Sequence, residues 1–217
     1  MKALALCALL LAAPACAETY SVSLGGKILG HLSYTEAGGT ATLRSTLDNT
    51  PLGVFNGTFT GTSTGNAASS RFTGDSRSSR KQRVVEVEIT KGRAVKTAIT
   101  PADELTELSD IARVPEGVRD PVRAMGHLFR AKGCPAPLQM YDGRRVVTIQ
   151  SNSSTQSGNA LSCTLSYKVV AGPGHLSPLG ISNARMELTY DTAGAQQTLR
   201  QMRISSGIFS VSLNRQE

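Results

Sequence analysis

Apolar and polar side chains alternate one by one along much of this chain. Tyr20, Val22 and Leu24 interleave with serines, and Val85, Val87 and Ile89 interleave with Glu86 and Glu88. Leu161, Cys163, Leu165, Tyr167 and Val169 stand between Ser162, Thr164, Ser166 and Lys168. The same period returns at Met186, Leu188 and Tyr190, and at Phe209, Val211 and Leu213. A period of two sends alternate side chains to one face of a sheet, so these runs predict half-buried strands. Gly25-Gly26, Gly38-Gly39 and other clusters of Gly, Asn, Ser and Asp divide the chain into about ten of them. One segment breaks the rhythm. In "RDPVRAMGHLFRAKG", Asp120 stands where an N-cap belongs and Pro121 at the first helical position. Val122, Met125 and Phe129 follow at helical spacing, and Gly133 sits where a helix would stop. The pattern therefore predicts a mainly β fold. A curved antiparallel sheet forms a barrel or half-barrel, and one α-helix at about residues 120–132 caps an open end or face. The stretch "TGTSTGNAASSRFTGDSRSS", residues 60–79, is polar throughout and reads as a mobile hairpin region.

The first residues add a compartment. "MKALALCALLLAAPACAETYS" has a single lysine, an apolar run over residues 3–13, then Ala15-Cys16-Ala17. That is the pattern of a secretory signal peptide, residues 1–17, ahead of a single β-rich domain at 18–217. The apolar run falls short of the roughly 20 residues a membrane-spanning helix needs, and no other stretch approaches that length. The expected location is the periplasm after cleavage behind Ala17. A lipid attached through Cys16 is the competing reading, although Ala13 stands where such sites usually carry leucine. Cys134 and Cys163 remain, and in an exported chain such a pair is expected to close a disulfide. Cys163 has the parity of the inward-facing residues of its strand. Two thiolates without neighbouring histidines are too few for a metal site, and no cofactor is expected.

The formal net charge of +7 leaves nucleic acid, anionic lipid or an acidic polymer open as partners. The basic stretch "SRSSRKQR" concentrates Arg77, Arg80, Lys81 and Arg83. It contains no aromatic residue, and the chain has no tryptophan. Single-strand readers stack bases on rings, so nucleic acid is not expected, and the stretch reads as a solvated hairpin tip. "GTSTG" matches the Gly-x-Ser-x-Gly pattern of serine hydrolases, but that motif needs a helix directly after the serine. Polar turn residues follow Ser63 instead, so a turn is expected. His31, His127 and His175 share no metal-ligand spacing and read as solvated or hydrogen-bonded. Asp103, Glu104 and Glu107 read as solvated residues of a connector. Neither catalytic nor metal-ligating residues are assigned. "YDGRR", Tyr141, Asp142, Gly143, Arg144 and Arg145, reads as a hairpin with Asp142-Gly143 as its two-residue turn. Arg145 shares the parity of Val147 and Ile149, so it is expected to point inward and to need an ion-pair partner, whereas Arg144 should face solvent.

"DPVRAMGHLFR", then Cys134, then "MYDGRRVVTI", then Cys163 in "ALSCTLSYKVVAG" together resemble an exported bacterial family, "domain of unknown function 3108". "YSVSLGGKILGHLSYTE" and "STLDNTPLGVFNGTFTG" are similar to that family's opening strands, so the resemblance spans nearly the whole chain after the leader. It implies a β-rich periplasmic protein with no established activity, in which Tyr141, Asp142, Arg144 and Arg145 matter together. A one-sided apolar sheet under a helix can enclose a pocket. The expected function is therefore non-enzymatic binding of an apolar or amphiphilic envelope component such as a lipid. The alternatives are a cell-envelope hydrolase using Asp142 or His127, and a structural partner in an envelope complex. The residues do not specify an oligomeric state.

Overall fold

The computed structural model describes residues 17–50, 56–79, 81–175 and 180–216. The apolar leader, Cys16 and Arg80 lie outside the described residues. The alternating runs form β1 (Glu18–Leu24), β2 (Lys27–Ala37), β3 (Thr40–Leu47), β4 (Gly57–Gly65), β5 (Ser70–Ser78), β6 (Gln82–Thr90) and β7 (Arg93–Thr100). After a connector come β8 (Val118–Arg119), α1 (Pro121–Phe129), β9 (Leu138–Tyr141), β10 (Val146–Ser157) and β11 (Ala160–Ala171). β12 (Asn183–Asp191), β13 (Thr198–Ser206) and β14 (Phe209–Arg215) complete the chain.

These strands build one sheet. β1 pairs antiparallel with β14, with Val22 opposite Leu213. From that seam successive antiparallel pairings run to β7 on one side and to β9 on the other, and β8 lies parallel to β9 at the far edge. The outer edges meet where the amides of Gly117 and Val118 both donate to the Gly92 carbonyl, at 2.9 and 3.1 Å. A sheet this wide curls under its own twist, and closing it removes edges that would otherwise template aggregation. The result is a nearly closed fourteen-stranded barrel with a single α-helix among the described residues.

Two strands were hidden by their composition. Residues 60–79 are not a mobile hairpin region; most of them lie in the paired strands β4 and β5. Thr58, Thr60, Thr62 and Thr64 alternate with Phe59, Gly61 and Ser63, so the period of two is present as size rather than polarity. Threonine suits a pleated strand. The small inner residues make room: a Cβ on Gly61 would lie 2.9 Å from the Val122 Cγ2 of α1. Ser63, expected in a turn, is a fully buried strand residue.

α1 sits inside one end of the barrel, packed against β3, β4, β9 and β13. Asp120 caps it, accepting from the amides of Val122 and Arg123 at 3.0 Å each. The helix ends at Phe129, where the apolar spacing ends, short of the stop expected at Gly133. The Phe129 ring stacks on Tyr20 at 5.2 Å and meets Tyr34 edge-on at 5.3 Å. The Tyr190 hydroxyl donates to the Leu128 carbonyl at 2.7 Å, giving this end of the helix a partner in the wall.

The other Asp120 oxygen accepts from Ser63 Oγ at 2.9 Å and Ser70 Oγ at 2.5 Å, so the cap is also a tie to β4 and β5. Arg123, one turn along, is buried as well. Its guanidinium donates to Glu36 Oε1 at 2.6 Å, to the carbonyls of Gly39, Gly65 and Ser63, and to Ser63 Oγ. A buried cation with that many acceptors pins the helix to the barrel rim.

Cys134, in the segment after α1, is joined to Cys163 on the inner face of β11, with Cα atoms 5.6 Å apart. Closing a loop of this size contributes about 3–4 kcal/mol in the chain-entropy picture. At about 2–4 °C per kcal/mol for a chain of this length, replacing both cysteines by alanine is expected to lower the melting temperature by roughly 10 °C. Scanning calorimetry of the oxidised parent against the double variant measures this; an unchanged midpoint would remove the bridge from the account.

Candidate functional site

The YDGRR stretch is not a solvated turn. It folds inward and packs against β6, β7 and the connector that follows them. Tyr141, the last residue of β9, is fully buried; its hydroxyl donates to the Leu108 carbonyl at 2.5 Å, which leaves Thr97 Oγ1 as the donor in their 2.9 Å contact. Tyr141 pairs with Val146, and the Asp142 amide donates to the Arg145 carbonyl at 3.4 Å. The turn therefore centres on Gly143-Arg144, one residue later than the Asp-Gly pair predicts. Asp142 Oδ1 holds it closed by accepting from the amides of Arg144 and Arg145, both at 2.9 Å. This side-chain acceptance is what asparagine and aspartate offer turns, and it outweighs the Asp-Gly preference here. Gly143 has φ 90°, and a Cβ there would stand 2.6 Å from Val85 Cγ1 on β6. Positive φ and close approach both demand glycine.

The connector between β7 and β8 receives this turn. Its single 3-10 turns, Ala102–Glu104, Glu107–Ser109 and Ile111–Arg113, bury Leu108. Thr106 Oγ1 donates to the Arg144 carbonyl at 2.9 Å and Ser109 Oγ to the Gly143 carbonyl at 3.2 Å. Glu104, expected in solvent, is buried and shared by three cations. Lys81 Nζ lies 2.8 Å from Oε1, while Arg83 and Arg144 reach Oε2 at 2.7 and 3.1 Å. The hydrogen bond from Lys81 and the charges of Arg83 and Arg144 hold its carboxyl below the usual glutamate range, against the opposing effect of burial. Lys81 and Arg83 are thus bound to the connector rather than forming a free basic tip. Arg144 also donates through Nε to the Glu104 carbonyl at 2.7 Å, so it is not the solvent-facing member of its pair.

Arg145 is the more deeply buried of the two, at 6 % exposure. Its Nε lies 3.1 Å from Asp142 Oδ2, an ion pair by distance, yet neither Nε nor Nη1 meets an acceptor in hydrogen-bonding geometry. Behind it, Tyr167 on β11 and His175 share a 2.5 Å contact between the hydroxyl and Nε2. Burial, reinforced by the Arg145 charge, pushes the His175 imidazole down to about 4, so it is neutral at pH 7. Neither Tyr167 nor His175 belongs to the sequence candidates. Tyr167 has the inward parity of its strand, but no spacing relates it to His175 or to Arg145.

Two cavities among the described residues bear on the site. One, of about 190 Å³, lies between the YDGRR turn, the N-terminus of α1 and the inner faces of β4, β5 and β6. Phe59, Phe72, Val85 and Pro121 form its apolar wall, with Gly74 and Ser76; Arg83, Arg144 and Asp142 supply charge at the other side. The second is larger, about 260 Å³, beside α1 and lined by Tyr34, Glu36, Arg119, Arg123 and His127 among others. Its polar groups are already engaged. Glu36 accepts from Arg123, Arg130 and Tyr34. His127 Nδ1 faces Arg119 at 3.4 Å, and Nε2 faces the Ala136 carbonyl at 3.3 Å. An imidazole committed on both sides has no free nitrogen for acid–base work. The smaller cavity is the better candidate because its walls are apolar and its charges converge. His31 is exposed on β2. Among the described residues no three His, Cys, Asp or Glu side chains gather as metal ligands, and no helix is long and apolar enough to cross a membrane.

No family model matches the chain, and no curated protein matches it. Among solved structures it is similar to a β-barrel-like protein of domain of unknown function DUF1849 from Brucella abortus, at 14% identity. The TM-score is 0.49, over 93% of this chain and 95% of that one. The resemblance to domain of unknown function 3108 does not stand: no family model supports it, and the structural neighbour carries a different family's description. An Asp-Pro helix start and an Asp-Gly turn are local chemistry that unrelated β proteins share.

The geometry reverses one expectation about the two arginines. Arg144→Met takes a cation from a buried carboxylate and a donor from the Glu104 carbonyl, and is expected to cost about 1–3 kcal/mol. Arg145→Met removes an ion pair but also two unsatisfied nitrogens, while Asp142 keeps both of its amide donors, so it should cost less. Urea unfolding of the two variants ranks them; a larger loss for Arg145→Met would mean that its pair with Asp142 holds the turn.

Proposed function

We propose that this barrel is an exported, periplasmic, non-enzymatic binding protein whose cavity at the YDGRR turn takes a small anionic amphiphile from the cell envelope. The observation that carries the reading is the two-sided lining of the cavity. Phe59, Phe72 and Val85 offer a surface for a short apolar chain, and Arg83 and Arg144 stand at its charged side with Asp142, whose charge is met by Arg145. Both arginines share one carboxylate, Glu104, with Lys81. Three cations on one glutamate leave positive charge over for an anionic head. Size limits the occupant. About 190 Å³ is below the roughly 300–1,000 Å³ of pockets that enclose a drug-sized molecule, so a short chain fits and a whole phospholipid does not. The export reading rests on the leader sequence, residues 1–17.

The hydrolase alternative is less well supported. Asp142 spends one oxygen on two backbone amides and sets the other against Arg145. It is a turn residue rather than a free base, and His127 is engaged on both ring nitrogens.

Octanoate is a suitable probe, followed by isothermal titration. Ser76 lines the cavity, and Ser76→Leu would fill it. The variant is expected to weaken octanoate by about tenfold or more, equivalent to ~1.4 kcal/mol, with its melting temperature close to the parent's. Absence of octanoate binding by the parent, or equal binding by Ser76→Leu, would refute the proposal.

A further inference from the structure

The tight two-residue turns of this barrel follow ordinary turn chemistry at every described tip but one. Gly25-Gly26, Gly38-Gly39, Lys91-Gly92 and Gly158-Asn159 close four hairpins with glycine or polar residues. Between β13 and β14, Ser206 pairs with Phe209 around Gly207-Ile208. Gly207, at φ 55°, supplies the positive φ that such a turn needs. Nothing in turn geometry asks for isoleucine at the next position, where small polar residues dominate. Ile208 is nevertheless there, 94% exposed, with Phe209 beside it at 45%.

The strand order gives this tip a neighbour. β1 pairs with β14, bringing Leu24 opposite Val211, so the β1–β2 hairpin end lies alongside the β13–β14 end. That second end adds Ile28, 52% exposed, and the exposed Lys27. Residues 22–30 and 203–212 contain Lys27 and Arg203 and no carboxylate. Arg203 is exposed, with Nε on Ser210 Oγ at 2.8 Å. Two carboxylates lie nearby: Asp48, whose backbone amide donates to the Leu29 carbonyl, and Glu187, which stands opposite Arg203 on β12 and is ion-paired with Arg185 at 2.9 Å.

We propose that this end of the barrel docks on an anionic lipid bilayer, with Ile208 as its point of insertion. The patch is convex, made of two protruding hairpin ends rather than a groove. A second protein would have to present a matching hollow, whereas a bilayer accepts apolar points without one. Isoleucine and phenylalanine flanked by cations match the two attractions a bilayer offers: an apolar interior just beneath a negatively charged surface. The inference is independent of what occupies the interior cavity.

Flotation with vesicles of phosphatidylethanolamine and phosphatidylglycerol, compared with phosphatidylcholine vesicles, tests it on the full chain without its leader. The parent is expected to float with the anionic vesicles and to be released by salt. Ile208→Ser/Phe209→Ser should float at least about tenfold less, because burying the exposed Ile208 side chain is by itself worth about a factor of ten. Its thermal melt should match the parent's, since neither residue is in the core. A parent that stays behind, or a double variant that floats equally well, would overturn the proposal. So would concentration-dependent self-association that the double variant abolishes in the absence of vesicle binding, because the patch would then be a contact between copies.

Discussion

A carboxylate taken wholly out of water costs several kcal/mol unless donors replace its hydration, and the chain gives Asp120 four. Two are amides of the first helical turn and two are serine hydroxyls on β4 and β5. One side chain therefore starts the helix and fixes where in the barrel it starts. Proline at the next position presets the backbone for the first turn. Arg123 then locks the orientation, because its five donations fall on Glu36, on Ser63 and on the carbonyls around two hairpin turns. The helix cannot rotate or slide without stranding a buried cation.

With the helix so placed, the interior is divided rather than hollow. Phe129 and the tyrosines that meet it fill one end. The YDGRR turn fills part of the other, leaning across to β6 and tied by its carbonyls to the connector after β7. Between the turn and the helix N-terminus lies a small cavity, apolar on one side and lined by Arg83, Arg144 and Asp142 on the other. A barrel of fourteen strands could have enclosed a wide chamber. Here much of the space is taken by the chain's own helix and turn, which leaves small cavities beside them.

Much of this was legible in the residues, and the failures have particular causes. Strands whose inner positions are large and apolar, such as the run from Leu161 to Val169, announce themselves. β4 and β5 do not, because most of their inner positions are small: Gly61, Ser63, Ser70 and Gly74 interrupt Phe59 and Phe72, giving room for the helix and hydrogen bonds to Asp120. The helix start was readable from Asp120-Pro121, since capping is local. Glu104 was not, because its cations Lys81 and Arg83 come from another strand and only the closed connector brings them together. The turn register slipped by one because Asp142 uses its side chain to hold the amides of Arg144 and Arg145. Tyr167 and His175 meet only through a loop conformation that no spacing encodes.

The helix, and through it the cavity, depends on the Asp120 network. A double-mutant cycle between Asp120→Asn and Ser63→Ala, with stability from urea unfolding, measures the tie between helix and strand directly. Because both residues share one hydrogen bond in a buried site, the cycle should give a coupling of about 0.5–3 kcal/mol. Asp120→Asn alone should also speed amide exchange at Val122 and Arg123. Additive losses, with those two amides as protected as in the parent, would mean that the helix is held by its apolar face alone.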